Sequence, residues 1–554
     1  MIAEQNRRTA PGGPPRARVP AMLAAAAVCI AVSGCDPQST YGPLKTSWSQ
    51  STGAIGSRPA VAGGTVYQGD WSGYERAFDQ TTGAPRWAVS LGTTSSPCVG
   101  TIGITSTPAV FGSLYVGGGD SNFYALGTKL GTTLWTVPTG DNSQAGGHYN
   151  WSSPALYSGH AYLGVSSLCD LPLVQGELLK INIVTHQIDG VFKVVPDGAV
   201  GGSVWTSPVV DAARNTVFIT TGNRTSLSHP YAQAVVALDA TTLAVKGSWA
   251  LPGTDTTPDA DWGTSPVLMT DAFSRALVSA VNKNGILYAF LRDDVSRGPV
   301  WQRRLAVGGD KPENGDGSVS TGFFDGKRLY QAAGRTTIGG ANVPSSVRAI
   351  EPTGGGVLWE RGLPGIIFGA LTGGNGMVVV PTVTGGLFVL DGATGSVLYA
   401  NDVGTAQGHR LFAGGTIAGG RLFIGDTGGR LNAFAFPSAP GAPTAAGPVG
   451  PSTSAPLNPA APPTSLPFPS AGPRASGAGL PRAMAGSGTR RLGTVVVRRP
   501  MRVRWTVGGA FRLRADGRVV AAGRHAGHGT VVLAPGLHRG VVLETAGRWS
   551  VRTR

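Results

Sequence analysis

The phrase YERAFDQTTGAPRW, residues 74–87, is rewritten along the chain as YALGTKLGTTLW (124–135), VRAIEPTGGGVLWE (347–360) and LFVLDGATGSVLYA (387–400). An apolar strand, a Gly-bearing turn and a Trp or Tyr strand recur together, and self-similarity at a fixed period constrains a fold more than any other feature of sequence. Each phrase is the second half of a longer unit. The units open at SRPAV (57–61), STPAV (106–110), SSPAL (152–156), TSPVV (206–210) and TSPVL (264–268), with looser starts at STGFF (320–324), FGALT (368–372) and FAGGT (412–416). The second strands are TVYQG, SLYVG, HAYLG, TVFIT, ALVSA, RLYQA, MVVVP and RLFIG.

A four-stranded meander of roughly fifty residues cannot bury both of its faces alone. Stacked radially, each sheet covers the next and only short edges stay open. The repeat therefore predicts an all-β chain with an eight-bladed β-propeller over residues 44–436. The eighth unit, RLFIGDTGGRLNAFAF (421–436), stops at Pro437 without its Trp strand, and that strand is found at the other end as LKTSWSQ (44–50). The ring is expected to close through this borrowed strand. Trp48, Trp87, Trp135, Trp249, Trp301 and Trp359, with Tyr399 in the seventh place, stand at a fixed offset from the turn. A large aromatic so placed docks blade on blade.

The flanks have other compositions. Residues 1–34 read as an export signal: Arg7, Arg8, Arg16 and Arg18 precede AMLAAAAVCIAV, an apolar run too short to span a bilayer. It ends in VSGC, which resembles a bacterial lipobox with Cys35 as the lipidated residue; an ordinary signal peptide is the alternative. The expected location is thus the outer face of the cell membrane, anchored by lipid at Cys35, or the medium. Residues 35–43 would be a tether. With Cys29 in the leader, Cys98 and Cys169 remain, and in an oxidising compartment two leftover cysteines pair. The absence of CxxC and CxxCH argues against a zinc ribbon and against covalently attached haem.

Residues 437–490, rich in Pro, Ala and Ser, read as an extended, unpacked linker. Residues 491–554 read as a small basic β-sandwich-like domain. In MRVRWTV and FRLRADGRVV, Met501, Val503, Trp505, Phe511 and Leu513 alternate with Arg502, Arg504, Arg512 and Arg514, and Asp516-Gly517 makes a hairpin turn. The first group is expected to share an inner face. The Arg face is either a soluble surface or a contact for an anionic envelope polymer or lipid headgroup. The net charge of +15 is concentrated at the two ends, leaving the propeller neutral. No aromatic residue interleaves with the Arg face, so nucleic acid is not an expected partner. A monomer is expected.

Loops joining the second to the third strand, and the fourth strand to the next blade, open on one side of a propeller. Trp71, Asp120, Cys169, Asp170, Asn223, Lys283, Arg335 and Asp426 fall in the first kind of loop. Cys98, His148, Asp259, Asp261 and His409 fall in the second. One mouth of the ring therefore collects the polar residues, and a concave site is expected there.

FDQTTGAPRW and its fellows resemble the tryptophan-docking motif of the eight-bladed quinoprotein dehydrogenases, the pyrroloquinoline quinone (PQQ) family, over residues 44–436. GGSVWTSPVVDAARNTVFITTGN (201–223) is similar to the family segment in which a Trp lies flat under the quinone. The resemblance implies Trp205 as that floor, Ser203 as a bonding hydroxyl and Asn223 as a calcium ligand. NKNGILYAFLR (282–292) implies Lys283 beside the reactive quinone oxygen. DADWG (259–263) implies Asp261, or failing that Asp259, as the base, with Asp261 and Asp170 as further metal ligands. The implied cofactors are PQQ and Ca2+, and the implied activity is oxidation of an alcohol, sugar or polyol. An alcohol needs a carboxylate to take its proton, a cation to polarise the quinone carbonyl and a hard cation with oxygen ligands.

The chain also departs from that family. PCVG carries a single Cys where two adjacent ones are usual, and GTIGIT replaces a turn whose Arg grips a cofactor carboxylate. The sequence thus leaves a second expectation open: a non-catalytic propeller resembling the envelope lipoproteins that use the same repeats to hold partner proteins, or a ligand-binding one.

Overall fold

The computed structural model of the chain describes residues 39–436 apart from 97–99, 254–258 and 405–406, and beyond them only backbone strands between 483 and 553. The leader, Cys35, Cys98 and most of the 437–490 segment lie outside the described residues.

Eight antiparallel sheets of four strands follow one another, the third carrying an extra short pairing through His148–Tyr149. The first blade runs Ala60–Ala62, Thr65–Gly69, Tyr74–Asp79 and Pro85–Ser90. The eighth contains Thr416–Ala418, Arg421–Asp426 and Arg430–Ala435, and its outermost strand is Lys45–Ser51, paired antiparallel with Arg430–Ala435. The ring closes by the borrowed strand, as the truncated eighth unit predicts. The chain before that strand also pairs: the amides of Thr40 and Tyr41 donate to the carbonyls of Val397 and Leu398 on the seventh blade.

The hydrophobic core lies between the blades. Tyr115 and Phe123 pack with Leu163 and Leu179 of the next sheet, and Ile55, Val66 and Phe78 pack with Phe423 and Leu431 to join the first blade to the eighth. Second strands such as Thr65–Gly69 are buried at every residue because neighbouring sheets cover both faces.

The Thr-Gly turn explains the opening phrase. Asp79 accepts from the amides of Thr81 and Thr82 and from the Thr82 hydroxyl, and Asp391 does the same for Ala393 and Thr394. Gly83 follows at φ +75, and a Cβ there would stand 2.6 Å from the ring of Trp48. Four of the indoles lie on the bare turn of the next blade and donate to its backbone: Trp48 to Gln80, Trp87 to Thr128, Trp301 to Pro352 and Trp359 to Gly392. Where the pattern is broken, the contact changes with it. His186 takes the Gly place and stacks on Trp135 at 4.8 Å, while Leu243 takes it over Gly190, in a blade whose outer strand has no Trp.

The [ST]-x-P openings have a second role, which the repeat did not reveal. The hydroxyl before each Pro, and Thr321 at the same place before Gly322, accepts from the amide at the same position in the preceding blade: Arg58 to Thr107 (3.1 Å), Thr107 to Ser153 (2.9 Å), Ser153 to Ser207 (3.0 Å), Ser207 to Ser265 (2.9 Å) and Ser265 to Thr321 (3.0 Å). A girdle of hydrogen bonds thus runs around the inside of the ring. It lapses at Ala370 and Gly414 and is rejoined where Arg58 Nε donates to Thr416 at 2.8 Å.

The second unit, Thr464–Arg554, contains two four-stranded antiparallel sheets. Its strands start at Ala483–Ser487, earlier than the expected boundary at 491. Met501, Val503 and Trp505 belong to one sheet and Phe511 and Leu513 to the other. Alternation reports which face a residue is on and not which sheet. Ala515 pairs with Arg518, which places the two-residue turn at Asp516-Gly517.

Candidate functional site

The turn Asn282–Gly285 links Ala276–Val281 to Ile286–Leu291 in the fifth blade and carries Lys283. Asn282 fixes it to the preceding loop: its side-chain amide donates to the carbonyls of Ala260 and Asp261, and the Lys283 amide donates to Asp261 as well. The Lys283 ammonium then lies 2.7 Å from Asp259 and 3.3 Å from Asp261. Gly222 leaves room for this, since a Cβ there would meet the Asp261 carboxylate at 3.0 Å. The next residue, Asn223, donates from Nδ2 to Asp170 at 3.3 Å. Four loops from the third, fourth and fifth blades thus bring Asp170, Asn223, Asp259, Asp261 and Lys283 together.

Three carboxylates face one ammonium, and burial decides their charge. Asp261 is pushed up to about 7, first by burial; Asp259 and Asp170 push it further, while Lys283 pulls it down. Burial raises Asp170 too, against the hydrogen bond from Asn223. Burial opposes the Lys283 charge, but Asp261 and Asp259 outweigh it and hold Lys283 above its ordinary range. Oxygens are left over: Asn223 Oδ1, Asp259 Oδ1 and Asp261 Oδ1 are buried with no hydrogen-bond partner. Unsatisfied buried acceptors are costly, and a hard cation is the partner that two carboxylates and an amide carbonyl suit. The described residues hold no cluster of three His, Cys, Asp or Glu already drawn around one point.

Trp205 borders this cluster, with Lys283 Nζ 5.8 Å from its ring centroid. The same indole lines a cavity of about 790 Å³ on the axis, walled by all eight blades, which Asp170, Asp259, Asp261 and Lys283 do not line. Trp205 is therefore a partition between the cluster and the channel. Trp151 occupies the equivalent place in the third blade, but its Nε1 donates to the Ser167 and Leu168 carbonyls, whereas Trp205 Nε1 has no partner. Trp262, whose Nε1 is also without a partner, is fully buried against Trp249 and Tyr288, so what sets Trp205 apart is its place between Lys283 and the channel. The repeat alone does not account for Trp205.

Ser203 does not join the group with a free hydroxyl. It is buried, accepts from the Ser167 amide at 3.3 Å and donates to the Ser167 hydroxyl. Cys169 is disulfide-bonded and packs with Trp71 and Trp151 against Ile102, Tyr149 and Leu168 at the mouth; its expected partner, Cys98, lies outside the described residues. His148, Arg335 and His409 stay apart from the cluster: Arg335 pairs with Asp316, and His409 lies 3.9 Å from Asp426. Sequence reasoning missed the aromatic wall of the channel, where Trp71 stacks on Phe412 and Phe412 on Phe368, each at 5.9 Å. The signal was present, since Phe368 and Phe412 are the first residues of the two loosest unit starts.

The PQQ_2 family, described as outer membrane protein assembly factor BamB, matches residues 45–294 and 283–438, and the chain belongs to it. Among characterised relatives it is similar to a polyvinylalcohol dehydrogenase of Sphingopyxis sp. (strain 113P3), 24% identical over 48% of this chain and 47% of that one. A second, of Pseudomonas sp., is 22% identical over 48% of each. The chain spans about half the length of these relatives. Among solved structures it resembles a quinohemoprotein alcohol dehydrogenase from Comamonas testosteroni, with a TM-score of 0.56 and 17% identity over 72% of this chain and 78% of that one. A europium-containing methanol dehydrogenase has a TM-score of 0.56 and 15% identity over 71% and 93%. These two likenesses are likenesses of fold.

Proposed function

We propose that this member of the PQQ_2 family is a quinoprotein-type oxidoreductase. In this reading PQQ would lie against Trp205, and Ca2+ would be held by the buried oxygen of Asn223 with Asp170 alongside, leaving Asp261 free to act on the substrate. A hydroxyl of a sugar, polyol or polymeric alcohol is oxidised. The observation that carries the reading is the set of unpartnered oxygens on Asn223, Asp259 and Asp261, gathered with Lys283 beside one indole face. Relatives named for polyvinylalcohol dehydrogenation support a hydroxylated substrate.

When bound, the quinone supplies the carbonyl that takes two electrons. The chain supplies the proton chemistry and the positioning. Asp261, pushed up to about 7, is a carboxylate matched to taking a hydroxyl proton near neutral pH. Lys283 stays protonated, so it directs positive charge at the acceptor side and stabilises the ionised form of Asp261. Trp205 gives a flat wall, and the burial of Asp261 and Lys283 keeps water from the exchange.

A second reading, a non-catalytic envelope scaffold, is favoured by the family's description and by the single Cys in PCVG. The two are separated by incubating the purified protein with PQQ and Ca2+ and following dye-linked oxidation of polyhydric alcohols. Oxidation that Asp261→Asn abolishes supports the enzyme; absence of any turnover over a panel of alcohols and sugars supports the scaffold. Either role would be played at the cell surface, by lipid at Cys35. Incorporation of labelled fatty acid that Cys35→Ala removes is the expected result.

A further inference from the structure

We infer that the axial channel carries a carboxylate-binding site built on Arg58. Arg58 is the one charged residue in the girdle inside the ring. Its Nε is fixed by Thr416, so the guanidinium is held in one plane with its terminal nitrogens uncommitted. It lines the channel, and no Asp or Glu pairs with it among the described residues. Burial alone pushes it down, to about 10, with no carboxylate opposing. A guanidinium has five N–H donors and no way to shed its charge at neutral pH, so this half-buried one, without a carboxylate partner on the channel wall, suits an anion.

The rest of the ring suits the same ligand. Thr107, Ser153, Ser207, Ser265 and Thr321 each accept an amide proton from the neighbouring blade, and none has an acceptor for its own O–H among the described residues. Five hydroxyl protons and one guanidinium fork therefore surround a channel of about 790 Å³. Glu313 also lines the channel, but around Arg58 and the girdle donors predominate, and the fork matches a carboxylate through two parallel bonds. The carboxylate comes either from a free organic acid or from the edge of a bound quinone cofactor.

The test uses the full chain, treated with EDTA and free of quinone, titrated calorimetrically with malonate against chloride at matched ionic strength. The expected result is saturable binding that Arg58→Gln weakens at least ten-fold. Arg58→Lys keeps the charge without the fork; it should also weaken binding, and it decides the matter if Arg58→Gln does not fold. A parallel titration with PQQ and Ca2+ separates the sources. If malonate does not bind but Arg58→Gln weakens quinone binding at least ten-fold, the carboxylate is the cofactor's. If neither ligand depends on Arg58, the inference is overturned. The malonate arm contains no quinone and is therefore independent of the proposed oxidation.

Discussion

Replacing Gly83 by Ala strikes the ring at its closing joint. Gly83 has φ +75, and its new Cβ would stand 2.6 Å from Cδ2 of Trp48, the aromatic of the borrowed strand. Left-handed strain costs a residue with a Cβ about 1–2 kcal/mol. Forcing the indole aside adds about 1–3 kcal/mol of overpacking. Losing the Trp48 bond to the Gln80 carbonyl adds about 1 kcal/mol. The sum is about 3–6 kcal/mol, a large share of a typical stability of about 5–15 kcal/mol. Gly64→Ala is the internal control, because Gly64 has φ +73 with nothing within 4 Å of the added atom. It should lose only the strain, about 1–2 kcal/mol. Urea unfolding of both variants, compared at equal slope, reads the difference. Equal midpoints for Gly83→Ala and Gly64→Ala would mean that Trp48 docking does not hold the ring shut.

Three further outcomes are expected. The rate of alcohol oxidation in the quinone-loaded protein should rise with pH as Asp261 ionises, and Lys283→Gln should move that rise to higher pH because Lys283 pulls the Asp261 value down; a pH–rate profile of the two proteins checks this. Asp261 holds its proton more tightly folded than unfolded, so its contribution falls as pH rises from its ordinary 3.8 towards 7, and Asp261→Asn should flatten the decline of urea midpoint across that window. Ser207→Ala removes one link of the girdle, a 3.0 Å bond from the Ser153 amide, and should cost about 1 kcal/mol by the same unfolding measurement.

The ring was legible because a repeat writes its geometry many times. The missing Trp strand of the eighth unit, set against LKTSWSQ, was enough to place the clasp. The girdle was hidden because the hydroxyl in each [ST]-x-P opening bonds to another blade some fifty residues away, and a strand start and a ring of hydrogen bonds read alike in one dimension. His186 and Leu243 look like flaws in the Gly turn until the partner aromatic, or its absence, is seen in the next sheet. In the candidate site, sorting loops by side of the ring put Asp170, Asn223, Asp261 and Lys283 at one mouth with many others, and only the resemblance to the quinoprotein segments singled them out. The closer contact of Lys283 with Asp259 did not follow, because two carboxylates two residues apart are ranked only by the path of the loop. The engagement of Ser203 by Ser167 was likewise invisible, since it depends on the spacing between blades.

The central claim is that one quinone is held against Trp205 with help from a calcium ion. Fluorescence titration of the purified chain with PQQ, with and without Ca2+, tests it directly. The expected result is saturable quenching at one quinone per chain that requires Ca2+ and is lost in Trp205→Ala and Asn223→Ala. Quenching that never saturates, or saturation that is the same in both variants and indifferent to Ca2+, would contradict it.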